Sequence, residues 1–397
     1  MVVAYISNRD KEYFSELKDE FIDVKNFNSV DEFISFYAKS KNRDIALLYR
    51  VDKLSDIEEL TSIHFRNNIY MIVIGQNSVE YSLLAGKLGV DSYINESEAN
   101  NEIVKNIIIQ SQSIIKKRRG QSNISVFAGV CGGLGTTTIV MNLAKNLAQN
   151  NLNKNILFLD FAHTKAISNL FFNCAWPEKN IINIAEIQNF SIEELLENGL
   201  QKFGNNLFFV PGIQKHTQRE DLQKTENIQK ILNFINFTKE YFDIVLIDVG
   251  VFEDVELEID IQEIADNLFV ITEFSIPSMS ILKTYIDIID KSGWHNKTYI
   301  IANRSNSFGN INELEAKKIL SKGLKHEFKI DYSLPNDALH LRECWNEARL
   351  INDVYPNSPF IQSLTGMGNK FFIQDEKDRY CIEKKKDNFL TKVRKWL

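Results

Sequence analysis

Nowhere in this 397-residue chain do about 18–20 apolar residues follow one another, so no segment reads as a membrane span. The N-terminus, MVVAYISNRD, lacks a basic n-region and carries only a very short apolar run, so it does not read as a secretion signal. Cysteine is scarce and scattered: Cys131, Cys174, Cys344 and Cys381 form no CxxC pair. That argues against a disulfide framework or a zinc site and fits a reducing cytosol. Basic charge is not in surplus either. Lys and Arg number 46 against 53 Asp and Glu, a net charge of −7, so the surface as a whole is unsuited to non-specific DNA binding, and no DNA partner is expected. Internal repeats and low-complexity tracts are also missing. What remains is 44% hydrophobic and 25% charged, the profile of a globular protein with two or three domains. The expected location is cytoplasmic, with any membrane contact peripheral.

The most informative stretch is VFAGVCGGLGTTTIVMNLAKNLAQ, Val126 to Gln149. An apolar strand (Ser125–Ala128) enters a glycine-rich turn, which enters a helix (Thr137–Gln149) opened by threonines. Gly132, Gly133 and Gly135 let the backbone turn tightly and aim several N–H groups at one anion. The helix adds its positive N-terminal end. Gly132, Gly133, Leu134, Gly135, Thr136, Thr137 and Thr138 are therefore the expected phosphate-binding residues. Thr137 stands where such loops place a Mg²⁺-ligating hydroxyl. YFDIVLIDVG (Tyr241–Gly250) is an apolar strand ending in Asp248, the expected outer ligand of that Mg²⁺ through water. ILFLD (Ile156–Asp160) ends in a second aspartate, Asp160. The loop nevertheless has Thr136 where lysine is usual.

Residues 1–118 read as a separate unit. Short strands at Val2–Ile6, near Val24, at Ile45–Tyr49, Tyr70–Ile74 and Ser92–Ile94 alternate with helices, the clearest being Ser29–Ser40 and Asn100–Ile115. Such alternation implies a parallel sheet covered on both faces. The five units, with GVDSYINES (Gly89–Ser97), resemble the receiver domain of two-component signalling, a flavodoxin-like fold. Its chemistry is missing. Tyr49 or Arg50 stands at the phosphoacceptor position, Glu96 replaces the loop lysine, and the acidic pair is reduced to Asn8, Arg9 and Asp10. Without those carboxylates neither Mg²⁺ nor an acyl phosphate is held. A pseudo-receiver used for contacts is expected. Lys116–Gly120 (KKRRG) reads as a solvated basic joint.

Residues 121–372 read as a doubly wound, mostly parallel P-loop domain, its strands at Ser125–Ala128, Ile156–Asp160, Leu207–Val210, Ile244–Asp248, Leu268–Thr272 and Tyr299–Ala302. Here a second resemblance is more specific. CGGLGTTT (Cys131–Thr138) resembles the deviant Walker A box of the ParA/MinD ATPases, followed in family order by LDF (Leu159–Phe161), FFVPG (Phe208–Gly212), the IDVG box, ADNLFVIT (Ala265–Thr272), ANR (Ala302–Arg304) and SLPND (Ser333–Asp337). With a receiver-like domain ahead of it, the chain is most similar to the TadZ/CpaE group, which positions Tad-type pilus and secretion machinery. The resemblance implies ATP and Mg²⁺ as ligands and a homodimer with nucleotide between its subunits. It also implies adenine recognition by Asn303, with Arg304 and the backbone around Pro335 beside the base.

Three departures bear on catalysis. The family's signature lysine matches Cys131, the in-loop lysine matches Thr136, and the second acidic residue of its DxD matches Ala162, leaving Asp160 as the sole candidate there. One lysine lost near a phosphate costs roughly 4 kcal/mol of screened Coulomb energy. Several N–H donors to an ionised acceptor, each worth about 1.5–3 kcal/mol, remain. Binding survives this arithmetic; hydrolysis, which needs extra charge stabilisation in the transition state, does not. Slow or absent turnover is expected. An active ATPase for DNA partition or for division or flagellar site placement is the alternative, and a nucleotide-free scaffold the second.

Residues 373–397 form a basic tail. On a helix, Phe389, Leu390, Val393, Trp396 and Leu397 share one apolar stripe beside Lys392, Arg394 and Lys395. That is the pattern of an interfacial helix on an anionic membrane surface, similar to the targeting tail of MinD.

Overall fold

The computed structural model describes residues 1–7, 11–39, 43–63, 69–119, 122–152, 154–162, 166–174, 177–187, 190–215, 217–321 and 328–373. Two sheets organise it. The first holds β1 (Val2–Ile6), β2 (Val24–Phe27), β3 (Ile45–Arg50), β4 (Ile69–Gly75) and β5 (Ser92–Asn95), in the order β2-β1-β3-β4-β5. All its pairings are parallel, and the order is that of flavodoxin-like sheets. Alternate residues serve opposite faces, as a period of two demands. Val2, Ala4 and Ile6 pack with Phe33 on one side, while Val3 and Tyr5 pack with Val104 and Ile108 on the other. Where β3 ends, Arg50 forms an ion pair with Glu96, just beyond β5. The two receiver positions expected to be lost thus carry opposite charges that satisfy each other. Asn8, Arg9 and Asp10 lie outside the described residues.

The expected basic joint is helical over most of its length. The helix Asn101–Arg119 continues through Lys116 to Arg119. Its apolar face at Ile107, Ile108, Ile114 and Ile115 carries the helix forward, and basic residues suit the negative C-terminal end.

The second sheet has eight strands: β6 (Asn123–Gly129), β7 (Ile156–Asp160), β8 (Gln201–Phe203), β9 (Leu207–Val210), β10 (Ile244–Val251), β11 (Asn267–Glu273), β12 (Thr298–Asn303) and β13 (Ile330–Ser333). Their order is β13-β12-β11-β6-β10-β7-β9-β8, parallel except for β8, which runs antiparallel to β9. The central strands are buried on both faces and nearly continuous in apolar residues, as expected. Sequence reading missed β8 and β13. Both are edge strands with polar residues, QKF and IDYS, and neither has the apolar run that marked the centre. The helix Thr136–Asn150 follows β6 and packs its buried side, including Leu143 and Leu147, into the core with Leu364 and Met367 of the helix Pro359–Phe372.

Register decides the geometry of the site. Asp248 of β10 pairs directly with Asp160 of β7, and the same strand end lies beside Phe127 of β6. The two strand-end aspartates are therefore neighbours at the carboxyl edge of the sheet, where the glycine loop emerges.

Candidate functional site

Gly133 and Gly135 occupy the left-handed region, at φ of 80° and 83°. A side chain at either would be strained, and at Gly135 a Cβ would also sit 3.0 Å from Asn303 Nδ2. Gly135 is the residue from which the helix Thr136–Asn150 starts. The first N–H groups of that helix have no intrahelical partner and face the loop's concavity. Thr136, in the lysine's place, is only 7% exposed, and its hydroxyl is tucked against Gly129. It offers no charge to the loop.

A cavity of about 380 Å³ opens here, lined by Cys131 through Thr138, Ala162, Ile167, Val249 through Val251, Glu253 and Trp345. Beneath it lies Asp248. Its Oδ1 accepts from the N–H of Gly250 at 2.8 Å, and the Thr137 side chain lies close enough to favour the charged carboxylate. Its Oδ2 is buried without a hydrogen-bond partner. Burial, and then the charge of Asp160 beside it, push the Asp248 carboxyl up to about 7. An unsatisfied, strongly basic carboxylate oxygen next to a threonine hydroxyl fits a hard divalent cation. No group of three or more acidic, histidine or cysteine side chains able to hold a metal occurs among the described residues.

Asp160 ends β7, as its sequence suggested, and its carboxylate is engaged inside the protein. Its Oδ1 accepts from the N–H of Ala162 at 3.0 Å and its Oδ2 from the Ser168 hydroxyl. Burial raises its pKa, and those hydrogen bonds work against the rise. Both oxygens anchor the segment that follows β7, so this side chain does not line the cavity. Ser168 carried no signal in the sequence.

Asn303 and Arg304 also lie outside the cavity lining. Asn303 Nδ2 donates to the Leu134 carbonyl at 2.8 Å, and its Oδ1 accepts from the N–H of Arg304 at 2.9 Å. Arg304, itself at a φ of 52°, donates Nη2 to the Gly133 carbonyl at 2.8 Å and pairs with Glu273 at 3.4 Å. In this structure both brace the glycine loop from the end of β12. Pro335 follows β13. Its neighbour Leu334 donates to the Ala302 carbonyl at 2.8 Å and accepts from Ser305 at 2.9 Å, so this turn is bonded to the end of β12. The tail residues Phe389, Leu390, Lys392, Val393, Arg394, Lys395, Trp396 and Leu397 lie outside the described residues.

Trp345 and Glu253 line the cavity without a signal in the sequence. Trp345 is 45% exposed and packs on Phe171, ring centroids 5.2 Å apart. Glu253 follows the IDVG box and pairs with Arg219. Its N–H donates to Glu258 Oε2 at 2.7 Å. Glu258 is only 1% exposed, and burial pushes its carboxyl up to about 8. Between the ordinary glutamate value and about 8, the folded chain holds a proton that the unfolded chain releases. Stability therefore falls as pH rises through that window, and the penalty is complete above it. Glu258→Gln keeps an acceptor for the Glu253 N–H and removes the charge. Above pH 8 this variant is expected to be more stable than the wild type by on the order of 3 kcal/mol. At pH 5 the difference should vanish; thermal denaturation at both pH values measures it.

Residues 122–300 match the family model described as AAA domain. No curated protein matches the chain. Among solved structures, a ParA family ATPase from Chlorobium tepidum is 17% identical, covering 62% of this chain and 98% of its own, with a TM-score of 0.55. The cell division ATPase MinD of Pyrococcus furiosus is 19% identical over 63% of this chain and 97% of its own, at 0.51. The septum site-determining protein MinD of Pyrococcus horikoshii, complexed with Mg-ADP, is 18% identical over 63% and 95%, at 0.50. These likenesses show the fold of the domain that holds the cavity. More narrowly, that domain has the fold of the ParA and MinD ATPases.

Proposed function

We propose that this protein is an ATP- and Mg²⁺-binding spatial organiser of the TadZ/CpaE kind. In this reading residues 1–118 are a pseudo-receiver, 121–372 the nucleotide-binding domain and 373–397 a membrane-contacting tail. The observation that carries the nucleotide reading is the orphaned Asp248 Oδ2 beside Thr137, under a glycine-rich loop with two left-handed glycines. Loop N–H groups would hold the phosphates, and Thr137 and Asp248 would hold Mg²⁺, which neutralises phosphate charge. Cys131, Thr136 and Ala162 supply neither cation nor carboxylate, and Asp160 is committed to Ala162 and Ser168. Turnover is therefore slow, and nucleotide acts chiefly through occupancy. Asn303 and Arg304, with the Pro335 turn, would lie next to the base and transmit occupancy to the loop they brace. Calorimetry with a non-hydrolysable ATP analogue tests this. Binding that needs Mg²⁺ is expected at micromolar to millimolar nucleotide; no heat at millimolar analogue refutes it.

The pilus or secretion role rests on the order of domains and on the end of β3, where Arg50, paired with Glu96, stands in place of a phosphoaccepting carboxylate. Nucleotide would favour a homodimer, and two tails would hold a membrane that one holds weakly. No helix among the described residues is long and apolar enough to cross a membrane, so attachment to the cytoplasmic face would be peripheral. Each basic residue of the tail near anionic lipid contributes about 1 kcal/mol. Co-sedimentation with anionic vesicles is expected for the full chain with ATP and to be lost on deletion of residues 384–397. Equal sedimentation of the two would exclude the tail.

A further inference from the structure

We propose that Glu253 is the carboxylate that orients the attacking water when this cavity hydrolyses nucleoside triphosphate, and that Arg219 holds Glu253 in place. The inference rests on the nucleotide reading above and concerns the chemistry that reading leaves open. At β7 the cavity wall is Ala162, a residue that can neither accept nor donate through its side chain. Asp160 has both oxygens engaged inside the protein. The ends of β7 and β10 nevertheless lie against each other: a Cβ built on Gly250 would sit 3.5 Å from that of Ala162. Three residues beyond Gly250, Glu253 lines the same cavity, and it is the sole carboxylate among the lining residues described. A carboxylate missing from one strand end is thus supplied from the next.

Its position is fixed by several contacts. The N–H of Phe252 donates to the Gly129 carbonyl at 3.0 Å, at the base of the loop. The Phe252 ring stacks on Tyr285, centroids 4.1 Å apart. The Glu253 N–H is taken by Glu258, and its carbonyl accepts from Val255 at 2.8 Å. Arg219, from the helix Gln218–Leu222, reaches across to the Glu253 carboxylate. That pair holds the carboxylate in place and brings a guanidinium within one side chain of a loop that has lost two lysines. In the step itself the water oxygen bonds to the γ-phosphorus. The bond from that phosphorus to the β–γ bridging oxygen breaks, and ADP leaves with the bond's electron pair. One water proton passes to Glu253 and on to solvent; the other stays on the phosphate. A positioned base of this kind contributes about 100-fold or more to rate.

The test uses the full-length protein. Phosphate release from ATP with Mg²⁺ is followed under single-turnover conditions for the wild type, Glu253→Gln, Glu253→Asp and Arg219→Ala. Affinity for a fluorescent non-hydrolysable analogue is measured alongside. Expected is slow but measurable release by the wild type, reduced about 100-fold in Glu253→Gln. Analogue affinity should change by no more than about threefold, because the loop and Thr137 are untouched. Glu253→Asp should retain part of the rate, and Arg219→Ala should lower it with affinity preserved. Unchanged release by Glu253→Gln, or wild-type release no faster than ATP decay in buffer, overturns the proposal. If the wild type also fails to bind the analogue, the nucleotide reading falls with it; binding without release sinks only the role of Glu253.

Discussion

Asp248→Asn is expected to stabilise the nucleotide-free protein and to disable its Mg²⁺-dependent binding. The two effects share one cause. In the folded chain the Asp248 carboxyl is buried, next to Asp160, and pushed up to about 7. Its folded value lies above its unfolded one, so the carboxylate destabilises the fold increasingly as pH rises towards 7 and fully beyond it. Replacing it by an amide at pH 8 removes that penalty, worth on the order of 3 kcal/mol, together with the repulsion from Asp160. The same change removes the negative oxygen that would hold the cation's waters, a loss of about 10–100-fold in affinity by analogy with other outer ligands. With ligand at one hundred times Kd, binding adds about 2.7 kcal/mol to wild-type stability; a 100-fold weaker Kd leaves about 0.4 kcal/mol. Thermal denaturation with and without Mg²⁺ and a non-hydrolysable ATP analogue reads both halves. A variant that melts below the wild type without ligand, yet gains as much from ligand, would show that Asp248 is an ordinary strand-end residue.

The second large effect lies in the core. Phe269 in the middle of β11 is fully buried. Its ring stacks on Phe127 of β6 at 4.7 Å and on Tyr299 of β12 at 5.3 Å, and it meets Phe371 and Phe372 at 5.2 and 5.7 Å. One side chain thus joins three strands to the end of the helix Pro359–Phe372. Phe269→Ala is expected to cost about 3–5 kcal/mol, the loss of buried surface plus a cavity that four surrounding rings cannot close. Against a typical total of 5–15 kcal/mol that is a large fraction. Urea denaturation should show a lower midpoint with an unchanged slope. Phe371→Ala, at the outer end of the same ring cluster and only partly buried, should cost markedly less; equal losses would mean that the cluster is not centred on β11.

The P-loop layout could be read before any coordinates because phosphate loops are local. A strand, a glycine turn and a helix start are contiguous in the chain, and glycine is needed where φ is positive, as at Gly133 and Gly135. The central strands were legible for a related reason. Burial on both faces requires continuous apolar runs, and β6, β7 and β10 have them. The edge strands β8 and β13 obey no such demand and stayed hidden. The helix over Lys116–Arg119 was misread because charge and linker composition look alike when the apolar face lies one turn earlier.

By itself the sequence determined the fold class, the position of the loop, the aspartates at two strand ends and the absence of lysine at Thr136. Each follows from residue type and short-range periodicity. Only the tertiary structure decided which groups meet. Burial at the sheet edge raises the Asp248 carboxyl, and parallel register, which sets Asp160 beside it, adds to the rise. Chain crossing brought Ser168 onto Asp160, Arg304 onto the Gly133 carbonyl and Arg219 onto Glu253. These contacts join segments 8 to 171 residues apart in the chain. No local pattern records them: Ser168 meets Asp160 through the fold of the segment after β7, and the longest contact depends on how strands far apart in sequence are ordered in one sheet.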